Sequence, residues 1–211
     1  MAANLEEIKL KLQKGDAPGV KALVEAAIKA GEDPKKIFYD GLVAGMKIVI
    51  DKFKRNEAYI PEVLIAARAN DAGMALVKPL LALTDFKPRA TIVIGTVKGD
   101  LHDIGKNLIG MSFRGQGYNV IDLGVDQSPE NFVKAAKDNK ADIIGLSALL
   151  TTTMPQMKNV VEKVKAEKMK TPVIIGGAPV TQDYADEIGA TGYAPDAATA
   201  VETADKILKL K

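Results

Sequence analysis

The only histidine of the chain lies in an acidic segment, residues 100–105, with the sequence DLHDIG. One histidine and no cysteine in 211 residues exclude multi-histidine metal sites, thiolate sites and thiol catalysis. Asp100 can fold back onto one ring nitrogen of His102 and leave the other free for a metal. A single histidine does not hold a bare ion, but it can supply one axial ligand to a metal caged by a macrocycle. The alternative is a solvated histidine, with Asp100 and Asp103 as helix N-caps.

Two further segments carry hydroxyl groups or glycine where predicted strands end. Ser147 and Thr151–Thr153 follow the third predicted strand, and Gly176 and Gly177 follow the fourth. Ligands of parallel sheets bind beyond the carboxyl ends of the strands, so these segments and residues 100–105 are expected to line one crevice. Glycine lets a backbone approach a ligand closely, although simple turns and helix capping by the threonines remain alternatives.

The elements that must position these residues fall into two parts. Apolar residues at helical spacing predict four amphipathic helices, a small bundle over residues 1–85, with Pro79 ending or bending the last helix. After a polar link, β-branched runs alternate with helical stretches over residues 90–211, which predicts an α/β fold with a doubly wound parallel sheet of about five strands. The strands are predicted at Thr91–Val97, Asn119–Leu123, Asp142–Ser147, Val173–Ile175 and, weakly, Thr191–Tyr193.

The segment Asp100-x-His102-x-x-Gly105 resembles the signature of cobalamin-binding proteins. Ser147-Ala-Leu149 is similar to the Ser-x-Leu element of that family, and Gly176-Gly177 to its later glycine pair. The helical part resembles the cap that precedes this domain in methionine synthase and in the corrinoid proteins of methyl-transfer systems. The resemblance implies a four-helix cap domain at 1–85 and a flavodoxin-like (Rossmann-type) cobalamin-binding domain at 90–211.

The resemblance also implies roles for individual residues. His102 would replace the cofactor's own base as the lower axial ligand of cobalt, in the base-off, His-on form. Asp100 and Thr153 would form a proton relay that couples proton uptake to the departure of His102 from cobalt; serine stands at the Thr153 position in methionine synthase. Tyr59 would shield the upper face of cobalt. The further cofactor contacts implied are Asp103, Ile104, Gly105, Ser147, Leu149, Thr151, Gly176, Gly177 and Ala197.

The function implied is that of a methyl carrier, on which cobalt alternates between Co(I) and methyl-Co(III). The implied partners are a substrate:corrinoid methyltransferase, a corrinoid:acceptor methyltransferase and a reductive activator of Co(II), in anaerobic one-carbon metabolism. The chain shows no acid–base machinery for activating a methyl donor, so the protein alone is expected to be non-catalytic. The alternatives are the cobalamin subunit of a radical mutase and a cobalamin-based sensor.

The composition of the chain argues against nucleic-acid and membrane partners. The net charge is +2, from 29 Lys and Arg against 27 Asp and Glu, so the chain has no basic field typical of nucleic-acid binding. No apolar run approaches the length of a membrane span, and the first residues lack the pattern of a secretory signal. We therefore expect a cytoplasmic protein without nucleic-acid or membrane partners.

Overall fold

The computed structural model describes residues 4–210, apart from the side chain of Ala198, as two compact units. The first unit comprises the chain up to Pro88 together with Gly115–Gly117, and the second comprises Arg89–Arg114 and the chain from Tyr118 onward. None of the helices in residues 4–210 combines the length and apolar character that a membrane span requires.

The first unit is helical. Side-chain caps explain where three of its helices begin, because Asn4, Asp16 and Asp33 each accept a hydrogen bond from a backbone N–H of the first turn. Pro79 lies inside the last turn of the final helix, which continues two residues beyond it. The helices are α1 (Leu5–Gln13), α2 (Ala17–Lys29), α3 (Pro34–Lys36), a π-helical segment (Ile37–Val43), α4 (Ala44–Lys54) and α5 (Ile60–Leu81).

The third helix predicted from the sequence is a composite of α3, the π-helical segment and α4, which follow one another without a break. Its apolar stripe is buried, including Ile37, Leu42 and Met46, and it packs within the first unit against α1 and α5. The hydrophobic pattern predicted a helix here correctly, but it did not reveal the wider π turn.

The second unit is a five-stranded parallel sheet with the strand order β2-β1-β3-β4-β5, and it confirms the predicted doubly wound fold. This is the flavodoxin-like order, in which the chain reverses direction across the sheet between β1 and β3. The strands are β1 (Thr91–Thr96), β2 (Asn119–Asp122), β3 (Ile143–Ser147), β4 (Val173–Gly176) and β5 (Gly192–Tyr193). The helices are α6 (Ile104–Gly115), α7 (Pro129–Asp138), α8 (Pro155–Ala166), α9 (Gln182–Ile188) and α10 (Ala197–Leu208).

Helices cover both faces of this sheet, as the near-continuous apolar strands require. On one face Val93 and Ile144 pack with α7, α8 and α9, and Phe132 and Met157 are fully buried there. On the other face Ile92 packs with α6 and α10. The two cores hold the sheet rigidly, so the loops at the carboxyl ends of β1, β3 and β4 lie along one edge.

Candidate functional site

The loop between β1 and α6 turns His102 outward and Asp100 inward. Asp100 is fully buried, whereas the side chain of His102 is 50% exposed. One carboxylate oxygen of Asp100, Oδ1, lies 2.8 Å from Nδ1 of His102 and accepts the backbone N–H of the same residue at 3.0 Å. Asp100 therefore holds both the backbone and the ring of His102.

The second oxygen of Asp100, Oδ2, anchors the loop after β3. It accepts the backbone N–H groups of Leu149 at 2.8 Å and Leu150 at 3.3 Å, and the hydroxyl of Thr153 at 2.7 Å. Burial acts to raise the pKa of Asp100, but the hydrogen bonds from Leu149, His102 and Thr153 outweigh burial and hold the pKa well below its usual range. Asp100 is therefore an ionised acceptor at neutral pH.

An ionised carboxylate only accepts hydrogen bonds, so Nδ1 of His102 must carry the proton that is shared with Asp100. In the neutral imidazole the lone pair is then on Nε2, the nitrogen on the far side of the ring. The arrangement presents one oriented, unprotonated nitrogen at the carboxyl edge of the sheet. Metal-ligating histidines have this form, with a carboxylate bound to the other nitrogen.

The threonines predicted in the loop after β3 occupy different environments. Thr153 is 7% exposed, and its hydroxyl lies 2.7 Å from Asp100 Oδ2 and 2.9 Å from the carbonyl oxygen of Leu150. Thr151 is exposed, and it does not line the cavity beside the sheet. The structure thus joins Thr153 to Asp100 and His102, and leaves Thr151 outside this chain of hydrogen bonds.

A cavity lies between the sheet and helices α6 and α10 within the second unit. Ser147 and Gly176, two of the predicted cofactor contacts, line it together with Ile109 and Phe113. Almost all of the lining is apolar. Lys106, which was not predicted from the sequence, also lines the cavity.

Lys106 is a buried lysine in the first turn of α6. Its side chain is 4% exposed, and Nζ donates to both carboxylate oxygens of Asp122, at 2.7 and 2.6 Å, and to Oδ1 of Asn107 at 2.6 Å. The ion pair ties the start of α6 to the end of β2 and leaves the aliphatic stem of Lys106 against the cavity. No sequence signal distinguished this lysine from the solvated lysines of other helices.

The two glycines at the carboxyl end of β4, Gly176 and Gly177, are required by a close approach of backbones. A Cβ on Gly176 would lie 2.6 Å from the carbonyl oxygen of Ala194, and a Cβ on Gly177 would lie 1.9 Å from that of Ala148. Gly177 also has a φ of +135°, which side chains disfavour. Gly105 differs, since nothing lies within 4 Å of a Cβ placed there.

We predict that Gly177→Ala lowers the free energy of unfolding by about 2–4 kcal/mol, because the new methyl group collides with a backbone oxygen and the backbone is strained. Gly105→Ala is the matched control, with an unfolding free energy equal to wild type or higher by up to about 1 kcal/mol from helix propensity. Urea unfolding of the three apoproteins measures both changes. Equal stability of Gly177→Ala and wild type would show that the loops are not in contact there.

Large apolar side chains stand exposed in the same loops. Leu101 and Ile104 are each 71% exposed on either side of His102, and Leu149 and Leu150 are 43% and 41% exposed where their N–H groups bind Asp100. We call these four residues the apolar rim. A cluster of this kind indicates a surface that a ligand or partner covers. Leu101 and Leu150 were not predicted, although their position within the two loops was a usable signal.

Three further predicted contacts, Asp103, Ala197 and Tyr59, have different surroundings. Asp103 is exposed, and it accepts the backbone N–H of Asn107 at its carbonyl and the Asn107 side chain at Oδ2. Ala197 is buried in the first turn of α10. Tyr59 belongs to the first unit, where it is 69% exposed and its N–H donates to Glu62 at the start of α5.

Within residues 4–210, no three acidic or histidine side chains are grouped so that they could hold a metal ion. His102 can therefore contribute a single ligand to a metal that arrives with its other ligands. A metal in a macrocycle meets this condition, and the flat apolar surface of a macrocycle matches the apolar rim.

Known proteins with similar sequences and structures bear out the predicted resemblance. A B12 binding domain family matches residues 90–202, and a second B12 binding domain family matches residues 5–78. A corrinoid protein of Desulfitobacterium hafniense (strain Y51) is 42% identical over 209 residues, 97% of each chain. Dimethylamine corrinoid protein 1 of Methanosarcina acetivorans is 43% identical over 192 residues, 90% of each chain.

A solved structure agrees with the sequence comparisons. A chain of the methanol:cobalamin methyltransferase complex from Methanosarcina barkeri matches with a TM-score of 0.90 and 33% identity, over 98% of this chain and 80% of that one. The agreement extends over both the helical and the α/β parts. The chain therefore belongs to the B12-binding family and, within it, to the corrinoid proteins.

Proposed function

We propose that this protein carries a methyl group on a bound corrinoid between two methyltransferases. The observation that carries the proposal is the oriented, exposed nitrogen of His102, backed by the ionised Asp100 and surrounded by the apolar rim. The relatives named as dimethylamine and trimethylamine corrinoid proteins favour a methyl carrier over a mutase subunit or a sensor.

The residues of the second unit fit a corrinoid. His102 would be the lower ligand of cobalt through Nε2, in the base-off, His-on form. The apolar rim would cover one face of the macrocycle. The displaced nucleotide tail would enter the cavity beside α6, where Ser147 and Gly176 lie.

The cobalt of the bound corrinoid would supply the atom that accepts and releases the methyl group. The chain's own residues would hold the corrinoid and orient the imidazole ring of His102 toward the cobalt. Asp100 keeps the proton on Nδ1 of His102, so that Nε2 is presented to the metal. Thr153 holds the second oxygen of Asp100.

A relay along His102, Asp100 and Thr153 is part of the proposal. When His102 is not bound to the metal, its Nε2 would be free to accept a proton, while Nδ1 stays hydrogen-bonded to Asp100. The observed distances of 2.8 Å and 2.7 Å support a continuous chain of hydrogen bonds between the three residues. Methyl transfer would thereby be coupled to the uptake of a proton.

The proposed partners are a methyltransferase that loads the carrier, a second that unloads it, and a reductive activator. The support is that two relatives are named for methylamines and that a matching chain was solved as part of a methyltransferase complex. Within the site itself, Asp100 is buried and ionised, and His102 is reserved for the metal. Neither is available as an acid or base toward a methyl donor.

We predict that purified protein loaded with reduced cobalamin does not demethylate dimethylamine, trimethylamine or methanol at a measurable rate. Each donor should be used only after a matching methyltransferase is added. The measurement is the change in the cobalamin absorption spectrum with time, and reduced cobalamin without the protein is the control. Rapid demethylation by the loaded protein alone would contradict the carrier function.

A further inference from the structure

Thr96 is a buried polar residue at the carboxyl end of β1, and the roles proposed above do not include it. It is fully buried, and its hydroxyl donates a hydrogen bond to the backbone carbonyl of His102 at 2.8 Å. The bond spans residues 97–101 and closes the loop that carries the signature. The buried hydroxyl of Thr96 thus binds the backbone of His102, the proposed metal ligand, and this contact suggests a role beyond packing.

The backbone of Thr96 is itself fixed on both sides. Its N–H donates to the carbonyl of Gly124 at 2.9 Å, and its carbonyl accepts the N–H of Gln127 at 2.9 Å. It also lies in register with Ser147 on β3. These contacts fix the backbone of Thr96 relative to the sheet and to the loop after β2. Its hydroxyl therefore holds the carbonyl oxygen of His102 at a fixed position.

Thr96 and Asp100 act on different parts of His102. Asp100 binds the N–H and Nδ1, which sets the rotation and the protonation of the ring. Thr96 binds the carbonyl, which sets the position of the backbone at the other end of the residue. With both held, Nε2 has a defined position before any ligand is present. Misplacements of about 1 Å are costly at sites of this kind.

We infer that Thr96 is a positioning residue for the metal-ligating nitrogen: its hydroxyl fixes the backbone of His102 so that Nε2 meets the metal of the corrinoid. The inference rests on the proposed function, because it presupposes that His102 is the lower ligand. Thr96 does not touch the metal, and it acts through a single hydrogen bond to His102.

The test uses Thr96→Val, which keeps the shape of the side chain and removes the hydroxyl. Holoprotein labelled with ¹⁵N-histidine is prepared with cobalamin in the Co(II) state, and the two-line ¹⁵N splitting of its electron paramagnetic resonance signal reports the fraction with His102 bound. The ratio of histidine-bound to histidine-free corrinoid should fall about three- to tenfold, the effect of losing one net hydrogen bond. Thr96→Ser keeps the hydroxyl and should restore the wild-type ratio.

Thr191→Val is the matched control. The hydroxyl of Thr191 accepts the N–H of Val173 at 3.0 Å, at the opposite end of the sheet from the loop of His102. This variant should lose stability without any change in the ratio. A ratio in Thr96→Val equal to that of wild type would overturn the inference and leave Thr96 with a purely structural role.

Two further outcomes are distinguishable. If Thr96→Val does not fold, Thr96→Cys replaces it, because a thiol is only a weak donor and should give a ratio below that of Thr96→Ser. Equal ratios in the cysteine and serine variants would overturn the inference. If wild type itself shows no histidine nitrogen on cobalt, the proposed function fails, whatever the Thr96 variants do.

Discussion

His102→Ala is expected to bind cobalamin about 10- to 100-fold more weakly than wild type, and to show the absorption spectrum of a corrinoid with water as the lower ligand. The chain has no second histidine that could replace the lost imidazole. The apolar rim and the cavity remain in the variant, which is why we expect weakened binding and not its complete loss. Titration of apoprotein with hydroxocobalamin, followed by absorbance, gives both the affinity and the spectrum.

Lys98→Ala is the control for this measurement. Lys98 lies in the same loop, and its exposed ion pair with Asp126, at 3.4 Å, contributes little to stability. The control should bind cobalamin like wild type. An unchanged spectrum and affinity in His102→Ala would contradict the assignment of His102 as a ligand.

Asp100→Asn is expected to lower the free energy of unfolding of the apoprotein by about 2–4 kcal/mol. In wild type the buried carboxylate accepts hydrogen bonds from His102, Leu149, Leu150 and Thr153. An amide keeps one acceptor oxygen and turns an NH₂ group toward donors, so buried N–H groups lose their partner. Thr153→Ala removes one hydrogen bond and should cost only about 0.5–1.5 kcal/mol.

The difference in unfolding free energy between wild type and Asp100→Asn is expected to depend on pH with a definite sign. Hydrogen bonds hold the pKa of folded Asp100 below its usual range, against the effect of burial. The unfolded chain therefore binds the proton more tightly, and the stability contributed by the carboxylate is fully present above about pH 5. It is lost as the pH falls through the ordinary aspartate value toward the folded one. The difference between wild type and Asp100→Asn should be constant at neutral pH and shrink below about pH 4.

Urea unfolding at several pH values measures the difference in unfolding free energy between wild type and Asp100→Asn. The control variant is Asp142→Asn. Asp142 is exposed and accepts a single hydrogen bond, from the N–H of Thr91, at the other end of the sheet. Its replacement should cost little at any pH. A difference between Asp100→Asn and wild type that does not shrink in acid would mean that Asp100 is not an ionised acceptor in the folded protein.

The Asp100→Asn variant also tests the proposed proton relay along His102, Asp100 and Thr153. Wild-type holoprotein should take up a proton when the methyl group leaves, measured with a pH indicator in weak buffer. Asp100→Asn should take up less, since the neutral amide breaks the proposed chain by removing the carboxylate that lies 2.8 Å from Nδ1 of His102. The same uptake with the same pH dependence in both proteins would show that Asp100 orients the ring without taking part in a relay.

The main elements of the fold could be predicted because their hydrophobic patterns are strong and local. The strands β1, β3 and β4 are β-branched and apolar, and the structure places them within two residues of the predicted bounds. Several helix starts are local features of the same kind, since the side chains of Asn4, Asp16 and Asp33 cap their own first turns. Gly115–Gly117 was assigned to the second part by sequence, but it clusters with the first unit, a tertiary effect that no local pattern carries.

Of the site, the part contained in short motifs could be predicted. The spacing of Asp100 and His102 allowed the contact that the structure shows at 2.8 Å. The roles of Thr96 and Lys106 could not be predicted, because their hydrogen-bond partners depend on the tertiary structure. Thr96 reaches the carbonyl of His102 through the path of the loop, and Lys106 reaches Asp122 at the end of β2. Lysine is also among the residue types that are rarely buried, so nothing in the sequence of α6 pointed to Lys106.

The most direct test of His102 as the lower ligand is the electron paramagnetic resonance spectrum of Co(II) holoprotein labelled with ¹⁵N-histidine. The chain contains one histidine, so the label reports on His102 alone. With unlabelled protein, one nitrogen ligand splits each cobalt line into three; if that nitrogen belongs to His102, labelling must convert the three lines to two. A three-line pattern that survives labelling would assign the nitrogen to the cofactor's own base, and a spectrum without nitrogen splitting would mean water at that position. Either result would contradict the central claim that His102 is the lower ligand of the corrinoid.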